Sequence, residues 1–268
     1  MSTPVRVHGR APDGRAVSFV LEHGADPVRE LVRRGWTVDG LVDAHRDTDG
    51  SLALRYAVDS APVVGPPSAP GPAPVPAEPV PMEPVPTAPV PTAPVPTAPV
   101  PMEPGPADPV PTDPGLVVEP GEAAQAYQRT AAYGVVTSER GVLLTELSAL
   151  TSSPGRWTLP GGGLDPGEEP VAALHREVWE ESGQRVEGVR LLEAHTSHWI
   201  GRAPSRRLED FHAIRIVYAA WCPSPTDPVV HDVGGSTESV RWVRVEDLGH
   251  YHLGRSFAPH MKRWLGRA

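Results

Sequence analysis

The chain holds a single cysteine, Cys222, in 268 residues, so no internal disulfide can form and a reducing cytoplasm is the expected setting. Lys262 is the only lysine among 24 basic residues. No run of about 18 apolar residues exists, which excludes a helical membrane span. Residues 1–10 have no apolar stretch behind their charges and do not read as a secretory signal. Between residues 61 and 126 there is no Lys or Arg at all, against 7 Asp/Glu. The flanking parts are nearly neutral: 8 Arg face 9 Asp/Glu in residues 1–60, and 16 basic face 17 acidic residues in 127–268. A partner with a nucleic-acid backbone would require a concentrated basic face, and nothing in this charge balance suggests one.

What fills the middle is proline. Residues 61–120 hold 23 of the 35 prolines, and from Glu78 to Gly115 they fall in a five-residue repeat such as Glu83-Pro84-Val85-Pro86-Thr87. Proline lacks an N–H and disfavours helix in the residue before it. Val and Ala alone cannot offset the entropy of ordering such a tract. Residues 61–126 are therefore expected to be a disordered, polyproline-II-like acidic linker. About 50 residues at ~3.1 Å each would span ~150 Å if extended, leaving the two folded parts to move independently. No basic residue lies in the tract to anchor a ligand for proline-binding modules.

Residues 1–60 predict a small α+β module in the order ββαββ. Val5 and Val7, then Val17, Phe19 and Leu21, alternate with polar residues around Pro12-Asp13-Gly14, as a hairpin would. Asp26 is placed to cap a helix opening at Pro27 and ending at Gly35. Two further strands flank Asp49-Gly50. The module carries no chemical motif. His8, His23 and His45 read as surface or edge positions, and a protein-docking role is expected.

Residues 127–268 predict strands at 131–137, 142–146, 157–159, 186–195, 211–221 and 240–243. A helix is expected over 168–182, stopped by Gly183, and another over 256–265. Strands flanked by two helices predict a mixed sheet between them, an α/β fold. The first helix bears Glu177, Glu180 and Glu181, spaced i, i+3, i+4, so the three carboxylates share an arc of about 100°. A cluster of hard oxygen donors suits Mg²⁺. Val171, Leu174 and Val178 form the apolar stripe expected to pack on the sheet. Ahead of the helix, the loop Pro160-Gly161-Gly162-Gly163-Leu164-Asp165-Pro166-Gly167-Glu168 lets backbone approach a ligand and leads to the positive helix end. Arg176 is placed to pair with Glu168 and pin the loop.

Loop and helix together resemble the box of the Nudix hydrolases, Gly-x5-Glu-x7-Arg-Glu-U-x-Glu-Glu-x-Gly-U, with U aliphatic. Gly162, Glu168, Arg176, Glu177, Val178, Glu180, Glu181 and Gly183 occupy its fixed positions. Gln184 departs from the final U, a packing position. The resemblance implies a Nudix-like α/β/α sandwich and hydrolysis of a nucleoside diphosphate linked to another moiety. It implies that Glu177, Glu180 and Glu181 bind divalent metal, Mg²⁺ or alternatively Mn²⁺. It further implies Glu181 as a candidate to activate water and Arg176 with Glu168 as the structural pair.

Substrate contacts are expected from Gly161 and Gly162 and from a long connection between strands, about residues 195–210. There Trp199 could stack on a base and Arg202 meet a phosphate. Glu238 is a candidate extra acidic ligand or base. His195, His198 and His212 match a zinc motif only loosely. Two other readings stay open: a nucleotide-sensing regulator, and an interaction protein acting through the module and the tract.

Overall fold

The computed structural model describes residues 3–60, 110–203, 205–232 and 234–268. The expectation of an extended linker falls mainly on residues outside this set.

The N-terminal module follows the expected order: β1 (Val5–Arg10), β2 (Ala16–Val20), α1 (Pro27–Arg33), β3 (Trp36–Arg46) and β4 (Leu52–Ser60). Its sheet runs β2-β1-β4-β3, with β1 and β4 parallel at the centre. Asp26 caps α1, its Oδ1 accepting from Arg29 N at 2.9 Å. Val5, Val7, Leu31, Leu52, Leu54 and Val58 are fully buried and fill the space beneath the helix.

The second unit contains β5 (Gln125–Ser138), β6 (Gly141–Leu147), β7 (Trp157–Thr158), β8 (Gly161–Gly163), α2 (Pro170–Ser182), β9 (Glu187–Arg202), β10 (Leu208–Trp221), β11 (Thr237–Val243) and α3 (Met261–Leu265). The main sheet runs β11-β6-β5-β10-β9, with β7 on β6 and β8 on β5. β5 and β10 are parallel and the remaining pairs antiparallel, giving the mixed sheet expected. Leu174 and Val178 of α2 pack over Gly134 on one face. Phe257, Met261 and Trp264, in and before α3, pack against Val135, Val142 and Leu144 on the other, completing the sandwich.

Several local expectations need correction. The long connection between strands is mostly sheet: β9 runs to Arg202 and β10 starts at Leu208, so Trp199 and Arg202 are strand residues. Their polar neighbours concealed the strand because one face of it is a polar seam rather than a core. α2 starts at Pro170, not Glu168, and Val171 points outward. α3 is shorter than its apolar pattern, beginning at Met261.

The two units also do not stand apart. The module sits on the same face of the main sheet as α2, and the apolar core continues from Leu54 and Val58 to Ile214 and Tyr218. Thr196 Oγ1 on β9 donates to Asp26 Oδ2 at 2.6 Å. Arg46 Nε donates to the carbonyl of Glu168 at 3.0 Å, and Arg46 N to Glu169 Oε2 at 3.1 Å. A stiff linker fixes no separation when the surfaces at its ends are complementary. Residues 110–124 lie along the end of β9, where Asp113 N donates to Ile200 O and Arg202 pairs with Glu122.

Candidate active site

The site grows from one local fact: α2 follows a glycine strand that folds back against it. β8 pairs with β5 through Gly161, Gly162 and Gly163, opposite Tyr133, Ala132 and Ala131. A Cβ on Gly162 would lie 2.5 Å from Glu177 Oε1, so any side chain here would push this carboxylate out of place. At the other end of α2, Gly183 takes the left-handed conformation (φ 68°) and its N–H returns to Trp179 O, the expected stop.

Arg176 organises the loop and the carboxylates together. Its Nε and Nη2 hold both oxygens of Glu168 at 2.8 Å, and Nη2 also reaches Gly163 O at 2.9 Å. Its Nη1 bridges Glu177 Oε1 at 2.9 Å and Glu180 Oε2 at 3.0 Å. The guanidinium thus supplies positive charge between two carboxylates that would otherwise repel. It holds the Glu168 carboxyl below its ordinary range, while burial pushes Glu177 up.

Glu181 lies deeper, 5% exposed. Gly161 N donates to its Oε2 at 2.9 Å and Thr237 Oγ1 to its Oε1 at 2.6 Å. Burial outweighs both bonds and pushes its pKa up to about 8, with Glu177 and Asp232 adding like charge. A buried carboxylate beside further carboxylates is an arrangement that a hard divalent cation relieves, so the donor set fits such an ion.

Arg129, Gly162, Arg176, Glu177, Trp179, Glu180, His231, Asp232 and Ser236 line a cavity of about 500 Å³. That is ample for a nucleotide. The expected residues Gly161, Gly162, Glu168, Arg176, Glu177, Glu180 and Glu181 are therefore brought together. Trp199 packs on Phe211 with ring centroids 4.5 Å apart and is not in the lining. Arg202 is held by Glu122 and the Val117 carbonyl. Glu238 is exposed on β11 outside the lining, and its neighbours Ser236 and Thr237 reach the site instead.

Sequence reading missed Arg129, Trp179, His231 and Asp232. Trp179 stacks on His231 at 4.5 Å and 12°, yet remains 43% exposed. A tryptophan flanked by the acidic trio was the available signal for it. Nothing in the sequence ties His231, 52 residues later, to the same helix; its N–H returns to Glu180 O at 2.7 Å. Gln184, the departure from the box, is buried and bonded through both ends of its amide to Ser182 O, Thr226 Oγ1 and Thr226 N. The position packs, as expected, but as a polar hub.

Residues 127–265 match the family model of the NUDIX domain, and the chain belongs to that family. It is an enzyme of the pyrophosphohydrolase type. The chain is 31% identical over 134 residues to the nucleoside triphosphatase NudI of Klebsiella pneumoniae (strain 342), covering 47% of this chain and 89% of that protein. Identity to NudI of Escherichia coli O1:K1 / APEC is 30% over the same length and shares. Among solved structures, the MutT protein of Methanosarcina mazei Go1 aligns with a TM-score of 0.42 and 21% identity, covering 54% of this chain and 98% of that one. Among the described residues no helix is long and apolar enough to cross a membrane.

Proposed function

We propose that this protein is a Mg²⁺-dependent pyrophosphohydrolase that cleaves the diphosphate linkage of a nucleoside diphosphate joined to another moiety, with Mn²⁺ able to replace Mg²⁺. The observation that carries the reading is the placement of Glu177 and Glu180 around Arg176 on the cavity wall, with Glu181 buried behind them. Glu177, Glu180 and Glu181 would hold the divalent ion. When bound, such an ion neutralises diphosphate charge and makes a water a better nucleophile.

The chain's own groups do the positioning. Arg129 lies against Gly163, where a Cβ would meet its Nε at 2.8 Å, and brings a guanidinium to the cavity for phosphate oxygens. Gly161 and Thr237 fix the orientation of Glu181, the candidate to accept a proton from the attacking water. The Trp179–His231 stack offers an aromatic face for the base in place of Trp199.

A panel of sugar nucleotides, dinucleoside polyphosphates and nucleoside triphosphates, assayed with Mg²⁺ and with Mn²⁺ by chromatography of the nucleotide products, tests the reading. Turnover of at least one diphosphate is expected, abolished by chelation and by Glu180→Gln. Turnover that persists in chelator, or no turnover on any member with tight nucleotide binding retained, would overturn it, and the second result would favour a nucleotide sensor.

A further inference from the structure

The polar seam between the module and the main sheet has a chemistry of its own. Side chains alternate along a strand, so Asp210 and His212 of β10 share a face. His198 of β9 is the register partner of His212 and joins them. Thr196 lies on this face too, and it meets the module at Asp26. Into this face the module inserts the loop after β2. Its Gly24 has φ +77°, and a Cβ there would lie 2.5 Å from His198 Cε1. The loop's close approach thus requires glycine and delivers His23.

His23 Nε2 lies 3.3 Å from Asp210 Oδ1, and His198 Nε2 contacts the same oxygen. One donor atom each from His23, His198 and Asp210 falls within 4.8 Å of the others. The three imidazoles meet edge to face, with centroids 5.3 Å apart for His23–His198, 5.5 Å for His23–His212 and 5.9 Å for His198–His212. His212 is fully buried; Gln128 Oε1 engages its Nδ1 at 2.9 Å, and among the described residues its Nε2 has only a loose approach to the Ala25 backbone. Two imidazoles converging on one carboxylate oxygen, beside a third buried ring that is weakly partnered, form a polar cluster that a cation between them would stabilise.

We propose that His23, His198 and Asp210 form a zinc-type metal site that clamps the N-terminal module onto the Nudix sheet, with His212 packed beside it. Two imidazoles and one carboxylate, with a fourth position left for water, suit a borderline transition ion in tetrahedral coordination and are a poor set for Mg²⁺. Among the described residues Asp210 is paired only with histidines. The other His/carboxylate group, Glu193 with His195 and His260, differs in this respect: Arg263 holds Glu193 at 2.6 Å and already places a cation there. Because its ligands come from both units, the site makes docking depend on the metal. That dependence also explains why spacing within either unit showed no motif.

The test uses the full chain carrying Glu177→Gln, Glu180→Gln and Glu181→Gln, so that the catalytic carboxylates take up no ion. After chelator treatment it is titrated with Zn²⁺ by calorimetry and with Co²⁺ by visible absorption. One equivalent per chain is expected, with a tetrahedral Co²⁺ spectrum. Adding His23→Gln, an exposed-loop change that leaves the sheet intact, should weaken uptake at least about tenfold, as should His198→Gln. Small-angle scattering should show a larger radius of gyration without zinc, or in the His23→Gln protein, than in the zinc-loaded parent. Absence of uptake in the parent, uptake indifferent to both histidine changes, or a seam that opens with pH alone would overturn the proposal.

Discussion

Gly162 lies so close to Glu177 that a single added Cβ would stand 2.5 Å from the carboxylate oxygen Oε1. Glu177 has only 15% of its side chain exposed and is held by Arg176, so it has little room to yield. Gly162→Ala should therefore lower kcat at least about tenfold, because a small misplacement of a charged group costs heavily at a transition state. Gly167 makes the contrast. It has φ +79° with nothing within 4 Å of a Cβ. Gly167→Ala should cost about 1 kcal/mol in backbone strain and spare kcat. Steady-state kinetics and denaturant titration of both variants separate the effects, and equal kcat for Gly162→Ala and the parent would refute the packing argument.

Glu181→Gln should lose at least about a hundredfold in kcat, the scale of removing a metal ligand or base. Its stability should be unchanged or higher. The buried carboxylate is already pushed up to about 8, and a neutral amide removes its desolvation cost while its oxygen still accepts from Thr237 or Gly161. A large drop in Tm would show that the ionised form is needed for folding.

His195 sets an acid sensitivity. Burial lowers its pKa from the ordinary 6.5 to about 4, with His260 and Arg215 adding like charge. Below about 6.5 the unfolded chain takes up a proton that the folded chain refuses until about 4. The unfolded state then binds more protons, so stability falls as pH drops through this window and is regained as pH rises. His195→Gln should make that acid limb shallower, with buried His212, also lowered to about 4, keeping part of it. Thermal unfolding of both proteins across the window checks it, and parallel curves would rule His195 out as the source.

Asp26 serves two structures at once, capping α1 through Arg29 N and accepting from Thr196 Oγ1 across the seam. Asp26→Ala should cost about 1 kcal/mol from the lost cap alone. Thr196→Ala should weaken docking without touching α1. Hydrogen exchange can tell them apart. Both variants should speed exchange at the seam, and only Asp26→Ala in α1.

Legible from the residues alone were the parts whose partners are near along the chain. Glu168 and Arg176 are eight residues apart, and the glycine strand directly precedes the helix. Fixed spacing therefore brought loop, helix and carboxylates into one neighbourhood, and the capping of α1 by Asp26 was equally legible. Alternation gave the order ββαββ, because each of those strands has one face in an apolar core.

The rest depended on contacts between elements distant along the chain. β9 and β10 extend through a stretch that reads as loop, since the face carrying Thr196, His198, Asp210 and His212 is covered by polar groups of another unit. The depth of Glu181 depends on Thr237, 56 residues away, and the aromatic wall of the cavity on His231 meeting Trp179. Docking of the module was hidden for the same physical reason. Periodicity records which face of an element is buried, while what buries it is a surface supplied from elsewhere in the chain.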